Sequence, residues 1–177
     1  MFWSPLSRGI AALLFCAAVA LPALADEPAP LKSDPGTQLL DSAARAAAQA
    51  GDRVGELVGG ALDLLGIRYR RGGTSPDTGF DCSGFVRHVF SQTIGLILPH
   101  NAREIARNGE KVRPDELQPG DLVFFNTMRR ALSHVGIYLG EHQFVHAPAS
   151  GGEVRIEDMR TAYWAKRYNG ARRIEAD

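Results

Sequence analysis

Cysteine is nearly absent: the 177-residue chain has two, too few for a disulfide-rich scaffold. Neither sign of charge is in excess. Twenty basic side chains stand against 20 acidic ones, so the bulk charge offers no hold on duplex DNA and no nucleic-acid partner is expected. Charged residues make up 23% and hydrophobic ones 45%, close to globular averages, which excludes wholesale disorder and fibrous repeats. No uninterrupted apolar run reaches the roughly 20 residues that a bilayer span requires. No internal repeat is evident, and the length suits one ordinary domain.

What is there begins with an export signal over residues 1–25. Arg8 supplies the charged start, Ile10 to about Leu21 the apolar stretch, and Ala23-Leu24-Ala25 the small residues of a cleavage site before Asp26. Pro22 interrupts the apolar stretch and leaves it too short to span a bilayer comfortably, which weighs against the competing reading of an uncleaved anchor; after cleavage no stable membrane insertion is expected. Cys16 follows the bulky Phe15, where lipidation signals usually carry a small residue, and reads as a passenger. The expected location is periplasmic or secreted. Cleavage after residue 25 of the 177 leaves 152 residues and one cysteine, Cys82. In an oxidising compartment a structural cysteine normally has a partner. An unpaired thiol there is either buried and inert or used for chemistry.

Residues 26–51 read as a linker grading into a weak helix, with Gly51-Asp52 resetting the chain. From Val54 the apolar positions Leu57, Val58, Ala61, Leu64 and Leu65 fall at helical spacing, which predicts an amphipathic helix over 52–65. Residues 72–79 are dense in turn formers. A second helix is expected from about Cys82 to Gln92, capped by Asp81 or Thr78, and a short third over Ala102–Asn108. Pro114 and Pro119-Gly120 mark the change to β structure. Strands are expected at 121–125, 133–139, 143–147 and, more weakly, 154–156 and 168–174. Helices first and consecutive antiparallel strands later is the α+β pattern, with one domain over 52–177.

Cys82 lies three and four residues before Phe85 and Val86, on the core-facing stripe of its helix and in its first turn. Free N–H groups and the positive end of the helix dipole there favour a thiolate. A small buried core cysteine fits the same position. The histidines bear on that choice, because a cysteine nucleophile needs a base within reach and the base needs an orienting partner. On the strand Ser133-His-Val-Gly-Ile-Tyr-Leu139, His134, Gly136 and Tyr138 share one face. A turn centred on Gly140 would set His134 directly across from His146, with Cβ atoms about 5 Å apart. A one-residue slip would turn His146 to the other face. Two facing imidazoles fit a base and its orienter; as zinc ligands they lack a third and fourth partner, so no metal and no cofactor is expected. His88 reads as exposed, His142 as a solvated turn residue, and His100 as a cleft or surface residue.

Several separated blocks carry a family resemblance: Gly66-Ile-Arg-Tyr69-Arg-Arg-Gly72-Gly73, Gly79-Phe-Asp81-Cys82-Ser83-Gly84-Phe85-Val86, Leu98-Pro99, Pro119-Gly-Asp-Leu-Val-Phe-Phe125, Ser133-His134-Val-Gly-Ile-Tyr-Leu-Gly140 and Phe144-Val-His146-Ala147. Over about residues 54–173 the chain resembles the NlpC-type cell-wall peptidases of the papain-like cysteine peptidase superfamily. The resemblance implies a papain-like fold, N-terminal helices packed on an antiparallel sheet of about five to six strands. It implies Cys82 as nucleophile, His134 as general base and acid, and His146 as orienter. Tyr69 matches the tyrosine that can contribute to the oxyanion site, and Asp81 and Ser83 match positions that in some members hold the substrate's amino-terminal end. The implied substrate is a peptidoglycan stem peptide, cut between γ-D-glutamate and a diamino acid, commonly meso-diaminopimelate.

Two departures stand out. Arg71 occupies a position where tryptophan is frequent, and no recognisable wall-binding module precedes the catalytic domain. An amidase or acyltransferase on other envelope substrates would use the same three residues, whereas a non-catalytic envelope-binding domain would have no need of the thiol. Tyr163, Trp164 and Tyr168 read as aromatics closing the core rather than lining a sugar cleft. Arg68, Arg70 and Arg71 fit substrate carboxylates or an exposed basic rim. Any regulatory protein partner is unnamed by the sequence.

Overall fold

A computed structural model describes residues 35–127, 131–149 and 152–174. The export signal and Cys16 lie outside the described residues. The first helix, α1, runs unbroken over Pro35–Leu62, so the expected weak helix continues through the expected reset at Gly51, while residues 26–34 of the expected linker lie outside the described residues. No proline falls between Pro35 and Pro76. The alanine-rich stretch before Gly51 has high helix propensity, and one internal glycine costs only about 1 kcal/mol. Residues 38–56 of α1 are exposed, and it is anchored by its last turns. Leu57 and Ala61 enter the core, and Gly60 lets the neighbouring helix come close: a Cβ there would lie 2.5 Å from the Thr93 methyl. No helix among the described residues is long and apolar enough to cross a membrane.

The turn-rich segment folds into a small antiparallel pair, β1 (Thr74–Ser75) with β2 (Gly79–Phe80). This delivers Asp81 to the start of α2 (Cys82–Thr93), where its carboxylate accepts the Gly84 N–H as the cap. Phe85, Val86, Val89 and Phe90 form the buried face of α2. The third helix, α3, is shorter than expected, Ala102–Ile105.

The remaining strands are β3 (Glu110–Val112), β4 (Leu122–Phe125), β5 (His134–Gly140), β6 (Gln143–His146), β7 (Arg155–Asp158) and β8 (Tyr168–Arg173), with a single-turn helix α4 (Ala162–Ala165) before the last. They form one antiparallel sheet in the order β3-β8-β4-β5-β6-β7. Neither β3 nor α4 was expected from the sequence. Leu122, Phe124, Val135, Ile137 and Val145 face the helices. Val123, Phe125, Tyr138, Phe144, Trp164 and Ala171 form a second core on the opposite face. Burial on both sides explains why β4 reads as an uninterrupted apolar run rather than an alternating one.

The β5–β6 register differs from the expected one. Ile137 pairs with Val145 and Tyr138 with Phe144, and the register shifts near the turn, where Glu141 and His142 have φ of 49° and 64°. His146 therefore stands opposite Gly136, diagonal to His134 rather than directly across from it. The displacement is two residues, and an even slip keeps every side chain on its face. Gly136 is what makes the diagonal workable: a Cβ there would lie 2.7 Å from the Phe144 ring, 2.8 Å from the Val145 oxygen and 3.1 Å from the His146 Cβ.

Candidate active site

At the start of α2, Asp81 is the hub. One carboxylate oxygen accepts the Gly84 N–H at 2.7 Å and the Ser83 hydroxyl at 3.1 Å, and the other accepts the Gly72 N–H at 2.9 Å. His100 Nε2 lies 3.1 Å from the first oxygen, and the residue is exposed. Ser83 is buried with its hydroxyl turned onto Asp81. Tyr69, bridged to Phe80 and half-buried, shares this neighbourhood. Burial first, then the charges of Cys82 and Asp81, hold its phenol above the usual range, with Arg71 opposing. It is therefore a protonated hydrogen-bond donor at neutral pH.

Cys82 is a free, half-buried thiol. Burial, and next the Asp81 carboxylate, push its pKa up to about 11, while backbone N–H groups of Val135, Ser83 and Cys82 itself pull it down. Desolvation at this helix start therefore opposes the favourable dipole on which the expected thiolate rests. The Val135 amide belongs to the residue after His134, so the thiol meets the sheet where β5 begins. Among the described residues no hydrogen bond joins sulfur and imidazole, as is common in unliganded sites whose contacts tighten on substrate binding.

His134 and His146 are both buried and meet at 2.7 Å, Nε2 of His134 to Nδ1 of His146, with their rings nearly perpendicular at 88°. Burial first, then the neighbouring His146, bring His134 down to about 3, with Glu157 opposing; burial and Arg155 do the same to His146. Both rings are neutral at physiological pH. With its Nε2 occupied, His134 has Nδ1 left for a reacting thiol.

Two residues complete the surroundings: Glu157, which the sequence reading did not single out, and Trp164, which it read as closing the core. Trp164 stacks on His134 at 5.5 Å between ring centroids and meets His146 edge-on. Glu157 lies beneath His146 and accepts the Trp164 indole N–H and the Arg155 guanidinium. The weak strand pattern after residue 153 held no cue to either. A cavity of about 370 Å³ opens beside His134, lined also by Thr127, Arg155, Thr161 and Tyr163. His88, expected to be exposed, is half-buried with its ring 5.0 Å from Phe80. Arg68, Arg70 and Arg71 are exposed. Among the described residues no group of three or more His, Cys, Asp or Glu side chains is placed to hold a metal ion.

Comparison with known proteins adds to this geometry. Residues 66–173 match the NlpC/P60 family model. The chain is 47% identical over 112 residues to the murein DD-endopeptidase MepS/murein LD-carboxypeptidase of Escherichia coli K12, covering 63% of this chain and 58% of that protein. It is 41% identical over 116 residues to the γ-DL-glutamyl hydrolase of Bacillus subtilis 168, covering 65% and 28% respectively. Among solved structures, the peptidoglycan hydrolase RipB of Mycobacterium tuberculosis superposes with a TM-score of 0.61 at 30% identity, covering 73% of this chain and 68% of that one. The chain thus spans well under two thirds of the length of these two curated relatives.

Proposed function

Because the chain belongs to the NlpC/P60 family, we propose that it is an exported cysteine peptidase hydrolysing an amide bond in peptidoglycan stem peptides, with residues 52–177 as its catalytic unit. The observation that carries this reading is the buried His134–His146 pair, 2.7 Å apart, at the end of β5 where the Val135 amide meets the Cys82 thiol. Cys82 loses its proton to Nδ1 of His134 as the sulfur attacks the amide carbonyl. Backbone N–H groups at the start of α2 and the Tyr69 hydroxyl stabilise the oxyanion, one such donor contributing about 3 kcal/mol. The leaving amine takes the proton from His134, leaving a thioester. Water then gives a proton to His134 and adds to the thioester, and the thiol is restored. Asp81, anchored by four hydrogen bonds, and Ser83 border the amino-terminal side of the cleft.

The γ-D-glutamyl–meso-diaminopimelate bond is the proposed scissile bond, supported by the glutamyl hydrolase relative. The murein DD-endopeptidase relative favours a second reading, a D,D bond of the cross-link. Purified sacculi and defined muropeptides incubated with the enzyme, with products assigned by mass spectrometry, separate the two. Cys82→Ala and His134→Ala are expected to lower product release about a thousandfold or more. Wild-type turnover by Cys82→Ala would end the proposal.

A further inference from the structure

The mechanism leaves one buried atom unexplained. Nε2 of His146 is enclosed in a fully buried side chain and has no hydrogen-bond partner among the described residues. The carboxylate facing it is Glu157, whose Oε1 lies 3.7 Å away. Glu157 is itself fixed from two sides, Oε2 by the Trp164 indole N–H and Oε1 by the Arg155 guanidinium. Trp164 in turn stacks on His134.

We infer that Glu157 is a positioning residue that selects the tautomer of His146 and thereby makes His134 a base. Proton placement decides this role, which rests on the proposed thiol mechanism. A neutral imidazole carries one N–H and one bare nitrogen. The 2.7 Å contact joins Nε2 of His134 to Nδ1 of His146, so one of the two donates. If His146 holds its proton on Nε2, towards Glu157, its Nδ1 is the acceptor and His134 donates from Nε2. The bare Nδ1 of His134 is then free to take the Cys82 proton. If instead His146 holds its proton on Nδ1, the hydrogen bond reverses and His134 carries its proton on Nδ1, which cannot then accept another. Geometry without Glu157 leaves the two arrangements undecided; a carboxylate, which only accepts, favours the first. Coulomb attraction also stabilises the imidazolium that forms on His134 during the reaction, as the third group of a triad does.

Both carboxylate oxygens are required, because His146 and Trp164 each present a donor and an amide has a single acceptor oxygen. Glu157→Gln is therefore expected to lower kcat about 10–100-fold with KM within about twofold, the range found for outer partners of a working imidazole. ¹⁵N-imidazole NMR of the uncleaved or mature wild-type protein is expected to show His146 protonated on Nε2, and Glu157→Gln to lose that single tautomer. The rate of Cys82 alkylation by iodoacetamide at fixed neutral pH, with Cys82→Ala as blank, should fall in parallel, and the melting transition controls for folding. Glu157→Asp, which keeps charge and both oxygens, should recover part of the rate and the tautomer. A His146 proton on Nδ1 in the wild type, or a Glu157→Gln variant with unchanged kcat, would overturn the inference. The NMR and alkylation readouts need no cell-wall substrate. A protein inert towards muropeptides but with a Glu157-dependent tautomer would sink the proposed substrate while sustaining this assignment.

Discussion

Burial moves the Cys82 thiol up, to about 11, and the His134 ring down, to about 3, which works against a preformed ion pair. The same burial causes both shifts, because low dielectric disfavours whichever form carries charge. Two consequences follow with definite sign. Folding stability associated with the two histidines is complete above their ordinary 6.5 and is lost as pH falls from there towards 3. The part associated with the thiol is complete below its ordinary 9 and is lost as pH rises towards 11. Alkylation of Cys82 by iodoacetamide is accordingly expected to accelerate continuously between pH 7 and 10, about tenfold per unit where free thiolate is the attacking species. A rate already level from pH 5 upwards would show a standing thiolate–imidazolium pair. Cys82 as a candidate nucleophile was legible from its lone occurrence and its place in a first helical turn. Its protonation state was not, since the sequence contains the dipole argument but no measure of desolvation.

At the scale of elements, the β5–β6 hairpin decides whether the two imidazoles meet. Alternation along β5 placed His134, Gly136 and Tyr138 on one face, and that held because side-chain period in a strand is fixed at two. The exact partner of His134 did not hold, because turn geometry sets register and the left-handed pair Glu141-His142 displaced it by two. Gly136 then became the residue opposite His146. Gly136→Ala introduces a methyl within 2.7–3.1 Å of β6, and is expected to cost about 1–3 kcal/mol of stability and to lower turnover by separating the histidines. Equilibrium urea unfolding read beside muropeptide hydrolysis checks both, and a fully active, equally stable variant would contradict the packing argument. The helix α1 shows the opposite balance. Local propensity carried it through Gly51, where a loop residue taken in isolation suggested a break.

Across the whole molecule, the last strand is held to the centre of the sheet by one buried ion pair. Asp121, 2% exposed, accepts Nε and Nη2 of Arg173 at 2.8 Å each, and the Gln118 N–H at 2.8 Å. Asp121→Ala removes the two-oxygen partner of the guanidinium, which keeps the Glu116 carbonyl, and leaves the Gln118 amide without its acceptor. It is expected to cost about 1–3 kcal/mol, seen as a lower urea midpoint at unchanged slope. An unmoved midpoint would show that β8 does not depend on it. The α+β class, the buried run of β4 and the identity of Cys82, His134 and His146 as site candidates were determined by sequence alone, because each depends on short-range periodicity or residue chemistry, whereas the choice of Asp81 over Thr78 as cap came from the structure. The insertion of β8 between β3 and β4, the seating of Glu157 and Trp164 around the histidines, and the thiol's burial were decided only by tertiary structure. Those depend on contacts between segments far apart in the chain, and no local pattern encodes which distant surface will exclude water from a given atom.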